Sequence, residues 1–78
     1  MTEAEIMEKV RSLIVDKLDV DEEEVVMDAS FQDDLGADSL DVMEFVDDLE
    51  REFSVEIAEE DLEKLKTVGD AVRHIASL

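Results

Sequence analysis

Apolar residues recur at helical spacing in three separate stretches, and no stretch sustains the alternation that a strand needs. Residues 3–18 place Ile6, Val10, Leu13, Ile14 and Leu18 on one stripe. Residues 39–53 repeat the pattern with Val42, Phe45, Val46, Leu49 and Phe53, and residues 68–77 carry Val68, Ala71, Val72 and Ile75. A shorter helix over 59–65 would use Leu62 and Leu65. Start signals agree with these spans: Thr2 with Glu5 and Thr67 with Asp70 form capping pairs, and Asp38 is an N-cap before the second stripe. The spacing predicts an all-α fold, a small helical bundle of three main helices plus one short helix.

Between the first two helices lie residues 19–37, which hold no full-length helix yet contain Val20, Val25, Val26, Phe31 and Leu35. These read as apolar anchors, so a long ordered loop is expected to cross the bundle; structureless connections of this length are usually functional or disordered. The 78 residues leave room for one domain, 1–78, with a core that buries only ~60% of the unfolded surface. No apolar run approaches the ~18 residues of a membrane span, and the N-terminus lacks the basic start of a signal peptide. Without cysteine there is no disulfide, thiolate site or cysteine nucleophile. A reducing cytoplasm or organelle matrix suits such a chain; cytoplasm is the expected location.

Charge narrows the choice of partners. Twenty-five Asp and Glu oppose seven Lys and Arg, a formal charge of −18. Between Lys17 and Arg51 there are 14 acidic residues and no base. Nucleic acid and anionic membrane surfaces are repelled, because binding to phosphate depends on Lys and Arg. Basic partners are attracted and steered at long range.

The densest chemical signal is Asp33-Asp34-Leu35-Gly36-Ala37-Asp38-Ser39-Leu40-Asp41. Gly36 permits a tight turn, Asp38 caps, and Ser39 falls in the first helical turn beside the positive end of the dipole. A phosphate ester on the Ser39 oxygen is favoured there. From the residues alone, the simpler reading is that Ser39 supports the cap. Leu40 and Met43 lie outside the inward stripe, ringed by Asp41, Glu44, Asp47 and Asp48. That arrangement suits a partner with an apolar spot and a basic rim, although single exposed apolar residues are also common.

The run Leu35-Gly36-Ala37-Asp38-Ser39-Leu40-Asp41 resembles the prosthetic-group attachment motif of acyl carrier proteins. The similarity continues through Val20-Asp21-Glu22-Glu23-Glu24-Val25, Phe31-x-x-Asp34-Leu35-Gly36, Phe53-x-Val55-x-Ile57 and Thr67-Val68-Gly69-Asp70-Ala71-Val72. The resemblance implies a carrier of acyl thioesters on a 4′-phosphopantetheine arm attached to Ser39, flanked by Asp38 and Leu40. It implies a monomer that does no catalysis of its own. Its partners would be a phosphopantetheinyl transferase, fatty-acid synthesis enzymes with basic docking patches, and acyl chains, with no nucleic acid and no membrane insertion. Leu40, Asp41, Met43, Glu44, Asp47 and Asp48 would meet those enzymes. Val46, Leu49, Ile57, Leu62, Leu65 and Ala71 would line the space for an acyl chain, or simply pack the core.

Two residues depart from the family pattern: Asp47 stands where an exposed apolar residue is common, and Ala58 where proline is. A calcium loop fails on alignment, since placing its glycine at Gly36 puts Phe31, Leu35 and Val42 at ligand positions; no metal site is expected. A serine hydrolase lacks its elbow motif, and the one histidine, His74, reads as a surface or boundary residue. Two alternatives stay open: a carrier of a polyketide or other specialised acyl or aminoacyl pathway, and an acidic interaction module without prosthetic group.

Overall fold

The computed structural model describes all 78 residues and contains four α-helices: α1 (Glu3–Leu18), α2 (Ser39–Phe53), α3 (Glu59–Leu62) and α4 (Val68–Ala76). It has no named strand; an isolated antiparallel bridge joins Ser30 to Thr67. The fold is the expected all-α bundle, with α1 packed against both α4 and α2. Helix α3 ends at Leu62 rather than running to 65, and turns carry the chain to Leu65, which is buried.

Local chemistry sets the helix ends. The Thr2 hydroxyl accepts from the Glu5 N–H at 3.2 Å, and the Glu5 carboxylate accepts from the Thr2 N–H at 3.1 Å. That backbone hydrogen bond from Thr2 holds the Glu5 carboxyl below its ordinary range. Helices α1 and α2 each end on a left-handed residue, Asp19 and Ser54, both at φ 54°. Short polar side chains tolerate that conformation best after glycine.

Seventeen apolar side chains form one core. Helix α1 contributes Ile6, Val10 and Ile14; α2 contributes Phe45, Val46 and Leu49; α4 contributes Val68, Ala71, Val72 and Ile75. The rest come mainly from the long connection, whose Val25, Ala29, Phe31, Leu35 and Ala37 are all buried. Phe31 meets Phe45 with ring centroids 5.3 Å apart, tying the connection to α2. Val26 is the exception among the expected anchors: it is 50% exposed, because Val25 beside it points inward.

Main-chain bonds fix the connection further. A single 3₁₀ turn, Glu22–Glu24, opens it. The Arg11 Nε donates to the Val25 carbonyl at 3.3 Å. Farther on, Val68 N–H donates to the Ala29 carbonyl at 3.0 Å and Gly69 N–H to the Met27 carbonyl at 2.8 Å. Phe31 N–H donates to the Lys66 carbonyl at 3.0 Å. Gly36, at φ 69°, then turns the backbone toward α2, a conformation that side-chain-bearing residues adopt only with strain.

Candidate functional site

The start of α2 is built from its neighbours in sequence. Asp38 is extended (φ −88°, ψ −179°) and its Oδ1 accepts from the Asp41 N–H at 2.9 Å. Asp41 returns the bond, its Oδ2 accepting from the Asp38 N–H at 3.2 Å. The sequence identified Asp38 as the cap and did not pair it with Asp41. Ser39 is the first residue of α2 and is exposed. Its hydroxyl makes no hydrogen bond within the chain. Leu40 and Met43 are 64% and 57% exposed, while Phe45, Val46 and Leu49 face inward.

The acids around this end of α2 do different things. Asp48 is half-buried and bridges two bases, Lys17 at 3.1 Å and Arg51 at 3.6 Å. Glu44 lies 4.0 Å from the same Lys17. Asp47 is exposed and joins no ion pair. Of the six candidate docking residues, Leu40, Met43 and Asp47 therefore stand free, Glu44 is loosely engaged, and Asp41 and Asp48 are committed within the fold.

A groove of about 650 Å³ opens beside Ser39. Phe31, Val42, Met43, Leu62 and Leu65 supply its apolar wall, and Ser30, Gln32, Asp33, Glu59, Glu63 and Lys66 its polar rim. Only Leu62 and Leu65 of the six residues expected around an acyl chain lie here. Val46, Leu49 and Ala71 are core residues, 4%, 0% and 1% exposed. Ile57 lines a separate cavity of about 430 Å³ with Asp47, Glu50, Arg51, Val55 and Glu56. Its N–H donates to Glu50 Oε2 at 2.7 Å. Phe31, Met43 and Val42 were missed as groove residues because helical periodicity assigns residues to a face and says nothing about which loop crosses it.

An exposed, unengaged hydroxyl at a helix start, with a partly apolar groove beside it, has the accessibility and space that a long covalent arm needs. Residues 8–75 match the family described as "phosphopantetheine attachment site". A solved structure of acyl carrier protein from Enterococcus faecalis is 47% identical and superposes with a TM-score of 0.83, covering 99% of this chain and 98% of that one. The chain belongs to the acyl carrier protein family. The covalent cofactor of such a carrier is 4′-phosphopantetheine, and the surroundings of Ser39 fit it. No helix of the carrier is long and apolar enough to cross a membrane.

Proposed function

We propose that residues 1–78 act as one acyl-carrier domain, loaded on Ser39 and serving enzymes of fatty-acid synthesis. The observation that carries the reading is the free Ser39 hydroxyl at the mouth of the groove. Other hydroxyls are less suitable. Ser30 accepts from the Asp33 N–H, Thr2 and Thr67 cap helices, and Ser77 donates to the His74 carbonyl. Ser54 sits at a helix C-terminus, where the dipole disfavours an added phosphate. Ser12 is in the middle of α1, away from any helix start.

When bound, the arm supplies a terminal thiol, which this cysteine-free chain lacks, to hold acyl groups as thioesters. The chain's own part is to present and to dock. Asp38 and Asp41 hold the first turn of α2 open around Ser39, and Leu40 and Met43 offer an apolar contact. Asp47 and Glu44 surround that contact with negative charge for the basic rim of a transferase or synthesis enzyme. Catalysis belongs to those partners, and the carrier works as a monomer in the cytoplasm. The Phe31, Val42, Leu62 and Leu65 wall offers an acyl chain partial shelter next to its attachment point.

Loading decides the matter. Incubated with coenzyme A and a phosphopantetheinyl transferase, the wild type gains one adduct by intact-protein mass, and Ser39→Ala gains none while keeping its helical circular dichroism. Undiminished loading of Ser39→Ala refutes the assignment, and no loading of the wild type favours the unmodified interaction module.

A further inference from the structure

Seven Lys and Arg side chains serve a chain with 25 Asp and Glu, and almost all of them have a partner within the fold. Lys9 pairs with Glu52, Lys17 with Glu44 and Asp48, Arg51 with Asp48, Lys64 with Asp61 and Arg73 with Asp70. Arg11 donates to the Val25 carbonyl. Lys66 is the remaining one. Its ammonium has no carboxylate within ion-pair distance and no hydrogen-bond partner, in a chain where acids outnumber bases more than threefold.

Its position is specific. Lys66 borders the groove that opens beside Ser39 and is the only cation among the groove residues. Its main chain is held three ways. Its N–H donates to Asp70 Oδ2 and to the Lys64 carbonyl, both at 3.1 Å, and its carbonyl accepts from Phe31 N–H at 3.0 Å. The backbone is thus fixed while the exposed four-carbon stem stays free to swing its point charge over the groove. Asp33, Glu59 and Glu63 share the rim, so Lys66 is close to acids without being captured by one.

Loading Ser39 adds a phosphodiester anion to the part of the chain that already holds 14 acids and no base between Lys17 and Arg51. Asp38 and Asp41 lie on either side of it. A basic side chain to face that anion has to come from outside that stretch, and among the groove residues one can provide it. We propose that Lys66 is the counter-cation of the phosphodiester on Ser39, restraining the root of the arm against the groove. The proposal rests on the carrier reading of Ser39 and adds to it a residue from the segment before α4.

The test compares wild type, Lys66→Gln and Lys66→Arg, each before and after loading by transferase and coenzyme A, with intact mass as the control. The Lys66 side-chain NMR signals move on loading, while those of Lys9 and Lys64 stay. The ³¹P resonance of loaded Lys66→Gln departs from the wild-type position, and Lys66→Arg restores it. At low salt, loading lowers the Tm of Lys66→Gln by on the order of 2 °C more than that of the wild type, and 0.5 M NaCl removes the difference. Unmoved Lys66 signals overturn the proposal, as does a ³¹P resonance common to all three proteins. So do Lys66 signals that respond only when a carboxylate-ended acyl group is attached. Adduct with a silent Lys66 leaves the carrier reading standing, whereas absence of any adduct removes both.

Discussion

Helices α2 and α4 both open with a reciprocal capping box, Asp38 with Asp41 and Thr67 with Asp70. The residue after each cap, however, lies in opposite surroundings. Ser39 is exposed, and neither its N–H nor that of Leu40 has an acceptor in the chain. Val68 is fully buried, and the loop carbonyls of Ala29 and Met27 take the N–H groups of Val68 and Gly69. The same local device leaves one helix start exposed, and seals the other as a clamp on the long connection. Capping chemistry defines where a helix begins; what the rest of the fold lays across that start decides its use.

The largest effect should come from prying the sealed start open. A Cβ on Gly69 would lie 2.8 Å from the Met27 carbonyl oxygen and 3.1 Å from both terminal nitrogens of Arg73. The arginine can move, but the backbone carbonyl can do so only by giving up its 2.8 Å hydrogen bond to Gly69. Gly69→Ala should therefore cost about 2 kcal/mol in urea unfolding, a large share of the ~3–5 kcal/mol a core this size supplies. Ser39→Ala at the open start should change stability by less than about 0.5 kcal/mol. Equal losses for the two variants would end the contrast.

Removing the caps themselves is the next test. Thr67→Ala and Asp38→Ala should each cost about 1 kcal/mol. Hydrogen exchange should separate them. Loss of the Thr67 cap should release protection at Phe31 as well as in α4, while loss of the Asp38 cap should stay confined to the first turn of α2.

The sequence made the helices and most of their caps legible because those depend on neighbours three or four residues away. Helices α1 and α2 span the stripes read from apolar spacing, and Asp38 and Thr67 cap where expected. What depends on chain segments far apart was not legible. Val26 and Val25 are equivalent in composition, and only the packing of the connection turns one out and the other in. Asp48 reads as one acid of an exposed ring, and only the fold shows that α1 places Lys17 against it at 3.1 Å. The groove beside Ser39 needs Phe31 and Leu65, which are far apart in the chain and are brought together by the bond of Phe31 N–H to the Lys66 carbonyl. No spacing rule encodes that meeting.

Acid should weaken the sealed start. Burial raises the Asp70 carboxyl, but N–H donors of Thr67 and Lys66, the Thr67 hydroxyl and the Arg73 guanidinium outweigh it and hold it below its ordinary value. A depressed folded value means that the stabilisation is complete above the unfolded value of ~3.9. It is lost as pH falls through the lower folded value. The stability gap between wild type and Asp70→Asn should therefore be widest at pH 5–7 and should shrink toward pH 2, as read by urea melts across that range. A gap independent of pH would mean that Asp70 acts through its shape alone.

The smallest effect is expected from salt, and it should fall mainly on the open side. The 33 residues from Leu18 to Glu50 carry 14 carboxylates and no base, and folding holds those charges closer than the unfolded chain does. Internal compensation is limited: Lys17 reaches Glu44 and Asp48, Arg51 reaches Asp48, and Lys9 reaches Glu52 beyond the stretch. The region around α4 is better matched, with Arg73 against Asp70 and Lys64 against Asp61. Raising NaCl from 0.01 to 0.1 M shortens the screening length from about 30 to about 10 Å. Charges several residues apart then cease to repel one another, while the short pairs and the caps change little. Tm should rise by on the order of 2 °C, and hydrogen exchange should show the added protection in α2 ahead of α4. Uniform protection across both helices would place the repulsion in the molecule as a whole, and the asymmetry between the two helix starts would then be one of packing and not of charge.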